Sequence, residues 1–112
     1  MTTGHFSEPI VELRTTFGDR VEAEACAARL VSERLAACVQ IEGPVRSTYR
    51  WRGNVEHAEE FRCVCKTSVE RADACAVALV RGHAYELPEL IRVVVGAAPA
   101  YAAWVRESVA GD

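Results

Sequence analysis

The densest group of polar functional side chains in this sequence lies in one short segment near its C-terminal third. The segment carries His83, Tyr85, Glu86 and Glu89, and Pro88 stiffens the backbone among them. Imidazole and carboxylate groups bind borderline and hard divalent cations, so the histidine and the two glutamates form a candidate metal site. The alternative is a histidine that only caps the carbonyl groups of a helix end.

Cysteine thiolates are a second candidate source of metal ligands, because they bind soft ions such as Cu(I). The sequence has five cysteines, of which Cys38 lies at a predicted helix-strand junction. Cys63 and Cys65 would point to the same face of a strand and could reach one soft ion. That face also carries Phe61, which favours packing in the core for this pair, and simple burial is an open alternative for Cys38 as well.

Two aromatic side chains alternate with other residues along a predicted strand. Ser47, Tyr49 and Trp51 share one strand face by the two-residue period. Aromatic residues are enriched at subunit interfaces, so packing between chains is one interpretation. The other is a cleft between subunits whose opposite wall is the loop from His83 to Glu89.

Catalysis finds little support in the residue types and their spacing. Ser47, Ser68 and His83 do not follow a recognisable nucleophile-base pattern, and the sequence has no glycine-rich phosphate loop. We therefore expect a binding protein and not an enzyme.

The elements that must position these residues follow from hydrophobic periodicity. Alternation predicts strands, and apolar residues at three- and four-residue spacing predict helices. The prediction, in chain order, is a strand at Ile10–Thr16, a helix at Arg20–Ala37, strand segments at Cys38–Ile41 and Val45–Trp51, a strand at Val55–Lys66, a helix that follows the capping box Thr67–Glu70 and ends at Gly82, a strand at Leu90–Val95 buried on both faces, and a helix from Pro99 with an apolar stripe of Tyr101, Trp104 and Val105.

This order predicts an α+β fold, a ferredoxin-like β-α-β-β-α-β sandwich with a long central hairpin and a C-terminal helix. Gly53-Asn54 supplies the expected hairpin turn. The two arms exceed the roughly 5–6 residues of a typical strand, and their exposed edges favour pairing with another chain. We expect one domain over residues 10–110, preceded by a flexible tail at residues 1–9.

Composition excludes several classes of partner. The formal net charge is -3, with 13 basic and 16 acidic residues interspersed, so no basic stripe for nucleic acid is present. No apolar run reaches the ~20 residues that span a bilayer. The start of the sequence does not resemble a signal peptide, and an odd number of cysteines argues against a disulfide framework, which together predict the cytoplasm.

Several motifs together resemble the CutA divalent-cation tolerance proteins over about Ile10 to Val109. These are Leu35-Ala36-Ala37-Cys38-Val39, Ser47-x-Tyr49-x-Trp51-x-Gly53, Glu60, Lys66-Thr67, His83-x-Tyr85-Glu86-x-Pro88-Glu89, Gly96 and Tyr101-x-x-Trp104. The resemblance implies a ferredoxin-like subunit in a tight homotrimer whose long hairpin strands pair between chains, much as in PII-type signalling trimers. It also implies a link to metal binding and no established reaction.

The copper ligands that the resemblance implies are mostly replaced in this sequence. Arg14 stands where the family has a cysteine, and Gly82 stands for the first of two histidines, so only His83 is retained. Our candidate metal ligands are His83, Cys38, Glu86 and Glu89, and the candidate cleft or interface residues are Tyr49, Trp51, Lys66, Tyr85 and Trp104.

The sequence thus predicts a trimeric divalent-cation tolerance or metal-response protein that binds copper, another divalent cation or a small ligand near subunit interfaces. The alternative is a PII-like signalling or structural trimer that docks a partner protein and has no dedicated metal site.

Overall fold

A computed structural model describes residues 7–111 of the chain, which form a four-stranded sheet and three helices. The elements are β1 (Glu8–Phe17), α1 (Arg20–Ser32), β2 (Cys38–Trp51), β3 (Asn54–Thr67), α2 (Ala72–Arg81), β4 (Ile91–Ala97) and α3 (Pro99–Ser108). Every strand pair is antiparallel, and the order across the sheet is β2-β3-β1-β4. The fold is therefore α+β, as the periodicity predicted. No helix within residues 7–111 is both long and apolar enough to cross a membrane.

The main core lies between α1, α2 and one face of the sheet. Its largest fully buried side chains include Phe17 and Leu13 from β1, Leu30 from α1 and Leu79 from α2. Truncating a leucine in such a core typically costs about 2–5 kcal/mol. This packing holds β1 and α2 together, and the loop that carries the polar residues leaves from the end of α2.

The third helix packs on a smaller cluster at the other face of the sheet. Ile10 faces away from Val11 because successive strand residues alternate, and it packs with Ala102 and Val105 of α3. The prediction that Tyr101, Trp104 and Val105 form the buried stripe of α3 was therefore wrong in part. Val105 is buried, whereas Tyr101 and Trp104 are exposed, since Ala102 supplies the other buried position.

The central hairpin extends well beyond its neighbour strand. β1 pairs with β3 only as far as Phe17 opposite Phe61, so β3 from Asn54 to Glu60 has β2 as its sole partner among the described strands. The turn is formed by Arg52 and Gly53, with φ values of 51° and 85°. Positive φ at both positions matches the two-residue turn that suits the twist of a hairpin, so the turn lies one residue earlier than the predicted Gly53-Asn54.

A step in strand register occurs between Glu42 and Val45 of β2. From Glu42 to Val45 the chain advances three residues, while β3 advances two, from Arg62 to Glu60. The extra residue is a β-bulge, and it moves the following side chains to the opposite face. β2 is thus one continuous strand and not the two segments predicted around Gly43.

Helix α1 ends five residues earlier than predicted. Its last residue is Ser32, and the chain then turns at Arg34, which adopts the left-handed φ of 58°. The N–H groups of Leu35 and Ala36 both donate to the Leu30 carbonyl, which satisfies the helix end. Asp19 caps the start by accepting from Val21 N at 2.8 Å.

The predicted capping box before α2 was also wrong. Thr67 belongs to β3, and its hydroxyl donates to the Leu35 carbonyl at 2.7 Å. Ser68 accepts from Arg71 N at 3.1 Å and so closes a turn before the helix begins at Ala72.

The ends of the sheet correct two further predictions. β1 begins at Glu8, since Glu8 and Pro9 pair with Ala97 and Gly96 of β4, so they belong to the domain and not to the tail. Residues 1–6 of the predicted tail lie outside the described residues. β4 is an edge strand rather than one buried on both faces, and its Val94 is 62% exposed.

Four of the five cysteines are buried in the main core. Cys63 and Cys65 are buried with Cys26 and Cys75 between the sheet and the helices, and all five thiols are free. Burial raises the pKa of Cys63 and of Cys75 to about 11, and it raises the pKa of Cys65 further. The raised pKa values disfavour the thiolate form that binds metals.

We predict that at most one thiol per native chain, that of the half-buried Cys38, reacts quickly with a thiol reagent at pH 8. All five should react after unfolding, and Cys38→Ser should leave the native chain almost unreactive. Rapid reaction of two or more native thiols would contradict the packing described here.

Candidate functional site

The hairpin arm is the part of β2 and β3 between Val45 and Glu60. The register step in β2 decides which of its side chains face the loop that follows α2. Before the step, Val39 and Ile41 pack against the main core under the helices. After it, Val45 pairs with Glu60, whose face of β3 is opposite to that of Phe61 and Cys63. Odd-numbered residues of β2 therefore leave the helical side, and Ser47, Tyr49 and Trp51 turn toward the face that carries Glu60.

The loop after α2 is fastened to the sheet by His83. Its Nδ1 accepts from Tyr85 N at 3.1 Å, and its Nε2 lies 2.7 Å from the Thr16 carbonyl oxygen. Because a backbone N–H can only donate, the ring proton sits on Nε2 and is donated to Thr16. The ring also stacks on Phe17, with centroids 4.4 Å apart. His83 thus fixes the position from which the Tyr85 side chain extends.

The phenol of Tyr85 joins the loop to the arm. Its hydroxyl donates to Glu60 Oε2 at 2.9 Å. A Cβ on Gly18 would come within 2.9 Å of the same hydroxyl, so the absence of a side chain there makes the contact possible. Burial, and then the hydrogen bond to the Glu60 carboxylate, raise the pKa of Tyr85 to about 12.

The arm and the loop enclose a cleft of about 880 Å³. At its rim, Arg52 forms an ion pair with Glu86 at 3.0 Å, and its guanidinium lies 5.3 Å from the centre of the Trp51 ring. The ion pair is largely exposed and contributes little stability. The lining residues are Thr16, Ser47, Thr48, Tyr49, Trp51, Glu60, Tyr85, Glu86, Leu87, Pro88 and Glu89.

The structure brings together five of the predicted site residues and separates the others. Tyr49, Trp51, Tyr85, Glu86 and Glu89 all line the cleft, so its two predicted walls meet within one chain. Lys66 and Trp104 lie elsewhere, both next to Tyr101. Lys66 Nζ is 5.7 Å from the centre of the Tyr101 ring, and the centroids of the Tyr101 and Trp104 rings are 5.6 Å apart.

Sequence reasoning gave no role to Glu60, the most buried acidic side chain of the cleft, which is only 9% exposed. Its position opposite Val45, one residue beyond the end of the β1 pairing, is visible only once the register is known. In the sequence, Glu60 could be singled out only because it is one of the residues that carry the resemblance to the CutA proteins.

The predicted metal ligands do not converge within one chain. Among residues 7–111, no group of three or more His, Cys, Asp or Glu side chains is placed to hold a metal ion. Both ring nitrogens of His83 already have partners, and Cys38 lies at the start of β2 opposite Lys66. The replaced position Arg14 pairs with Glu12 at 2.7 Å.

Comparison with known proteins places this arrangement in a family. The family model described as CutA1 divalent ion tolerance protein matches residues 11–108. The chain belongs to this CutA family. Over 95 residues it is 32% identical to the divalent-cation tolerance protein CutA of Escherichia coli O139:H28, a match that covers 84% of this chain and 85% of that protein.

Two further relatives extend the comparison. The rice protein CutA 1, chloroplastic, is 30% identical over 101 residues, and this match covers 89% of the chain but 57% of the rice protein. The crystal structure of CutA from Xylella fastidiosa has a TM-score of 0.87 and 35% identity, with 90% of this chain and 98% of that one covered. The described fold is thus that of CutA proteins.

The Tyr85 contact predicts a pH dependence at the alkaline end. A phenol whose pKa is raised binds its proton more tightly in the folded protein than in the unfolded chain, where the pKa is about 10. Its contribution to stability is therefore complete below about pH 10. The effect should disappear as the pH rises toward 12. Near-ultraviolet absorbance should show a late phase of tyrosine ionisation, and Tyr85→Phe should remove that phase.

The matched control for this titration is Tyr101→Phe, which should leave the late phase in place. If the wild-type protein shows no late phase, the partly buried, hydrogen-bonded position of Tyr85 described here is wrong.

Proposed function

We propose that the chain is a homotrimeric divalent-cation tolerance protein of ferredoxin-like subunits, which binds its ligand non-covalently in the cleft between the hairpin arm and the Tyr85–Glu89 segment. The cleft itself carries the proposal, because aromatic and carboxylate side chains from two distant segments are held there by specific contacts. Its volume is within the range of small-molecule sites. Family membership supports the cation-tolerance role.

The trimer is supported by two sheet edges of different sequence that no other strand of residues 7–111 covers. β2 and β4 are the outermost strands, and each exposes backbone groups that another strand can pair with. Pairing β2 of one chain with β4 of the next is a head-to-tail contact, and such contacts form a closed ring when the rotation between neighbouring subunits closes. The overlong arm would then lie along the neighbouring subunit, and the cleft would open near the subunit boundary.

A non-enzymatic role in a reducing compartment fits the same features. Among the described residues, the cleft lining has hydroxyls, aromatic rings and carboxylates but no cysteine or lysine nucleophile. Five free cysteines are suited to the cytoplasm, where thiols stay reduced, and we propose that compartment. The partner we propose is the identical chain; nucleic acid and membrane are not among the proposed partners.

The assembly is tested by light scattering on the purified protein, which should give three times the mass of one chain. Val94→Lys should shift the mass toward that of the monomer, because a lysine on an edge strand opposes pairing. Val21→Lys, at a position 71% exposed on α1, should leave the trimer intact. A monomeric wild-type protein would refute the assembly.

Metal binding is tested by titrating copper and zinc into the assembled protein. Copper affinity should fall in Cys38→Ser, since a thiolate is the softest ligand available on a half-buried position, and it should be unchanged in His83→Ala because both ring nitrogens are already bonded.

A loss of copper affinity in His83→Ala would mean that the ring gives up both bonds to become a ligand. Weak binding that neither substitution alters would favour the alternative, a trimer that docks a partner protein.

A further inference from the structure

The charged side chains that line the cleft are all acidic. Three aromatic rings, those of Tyr49, Trp51 and Tyr85, share it with three carboxylates, and no Lys, Arg or His side chain from residues 7–111 lines it. The guanidinium of Arg52 at the rim is already paired with Glu86. The charges of Glu60 and Glu89 therefore remain without a basic partner among the lining residues.

Glu60 is the least accessible of these charges. It is 9% exposed and accepts a hydrogen bond from the neutral hydroxyl of Tyr85 at 2.9 Å. Within residues 7–111, no basic side chain forms an ion pair with it. Burying a carboxylate costs free energy unless a positive charge or several donors compensate. A bound cation in the cleft would supply that compensation.

The arrangement suits an organic cation better than a bare metal ion. The carboxylates do not belong to any group of three or more metal-ligating side chains in the described part of the chain. A volume of about 880 Å³ is far larger than a coordination sphere and suits a metabolite-sized ligand. Aromatic faces attract alkylated ammonium groups through the ring quadrupole, and the chain already places the Arg52 guanidinium over the face of Trp51.

We propose that the cleft binds an alkylammonium cation, whose charged head lies against Glu60 and the aromatic rings. The hydroxyls of Ser47 and Thr16 on the same lining can bond to a polar tail. This inference rests on the proposed function and specifies the ligand class of the same cleft. No covalent step is involved.

The probe is choline, with its neutral isostere, in which carbon replaces the nitrogen, as the matched ligand. Isothermal titration into the wild-type assembly should show choline binding about tenfold or more tighter than the isostere, because the shape is the same and only the charge differs. Choline affinity should also fall as salt is raised.

Variants locate the binding. Trp51→Ala and Glu60→Gln should each weaken choline binding about tenfold. Glu89→Gln removes an exposed carboxylate of the same lining and should also weaken choline binding, so it serves as the test if Glu60→Gln fails to fold. Glu24→Gln is the control, since it removes the same type of charged group outside the cleft, and it should bind choline as the wild type does.

The outcomes separate this inference from the proposed function. Equal binding of choline and its isostere, or choline binding indifferent to both carboxylate substitutions, overturns the cation class. If copper, zinc or a neutral molecule binds in a manner that depends on Trp51 while choline does not, the inference is wrong and the ligand cleft stands. If the assembled protein binds none of these probes in a manner that depends on Trp51, because a neighbouring chain fills the cleft, both are wrong.

Discussion

The extra residue between Glu42 and Val45 sets the orientation of everything that the hairpin arm presents. Strand side chains alternate, so one added residue exchanges the two faces of all that follows. Without it, Tyr49 and Trp51 would continue the face of Val39 and Ile41, which belongs to the helical side of the sheet. With it, the same strand contributes first to the core and then to a cleft. A single local irregularity thus lets one 14-residue strand serve two purposes.

The loop after α2 shows how polar residues that are neighbours in sequence divide their work in space. His83 points inward and uses both ring nitrogens to anchor the backbone, whereas Glu86 and Glu89 face the cleft. Density of functional groups along the chain therefore did not mean convergence on one ion. The anchor matters for the cleft because it sets where Tyr85 can reach Glu60, and Gly18 leaves the room for that contact.

The order and type of the elements were predictable because strand and helix periods differ clearly here, and the aromatic face of the arm followed from the same alternation. Other features depend on information that local pattern does not contain. The left-handed turns at Arg34 and Arg52 occupy positions with no glycine signal. A run of branched residues in β4 resembles a buried strand, although the sheet order leaves it at an edge. Glu60 became a cleft residue only through a partner 25 positions away.

The length of the arm beyond Phe61 has a thermodynamic consequence for the proposed assembly. A two-stranded ribbon without further support is only marginally stable in water. If its missing neighbour is another copy of the chain, order in this segment is governed by mass action. Its melting temperature would then rise with protein concentration, and dilution would fray the ribbon before it loosened the core under the helices.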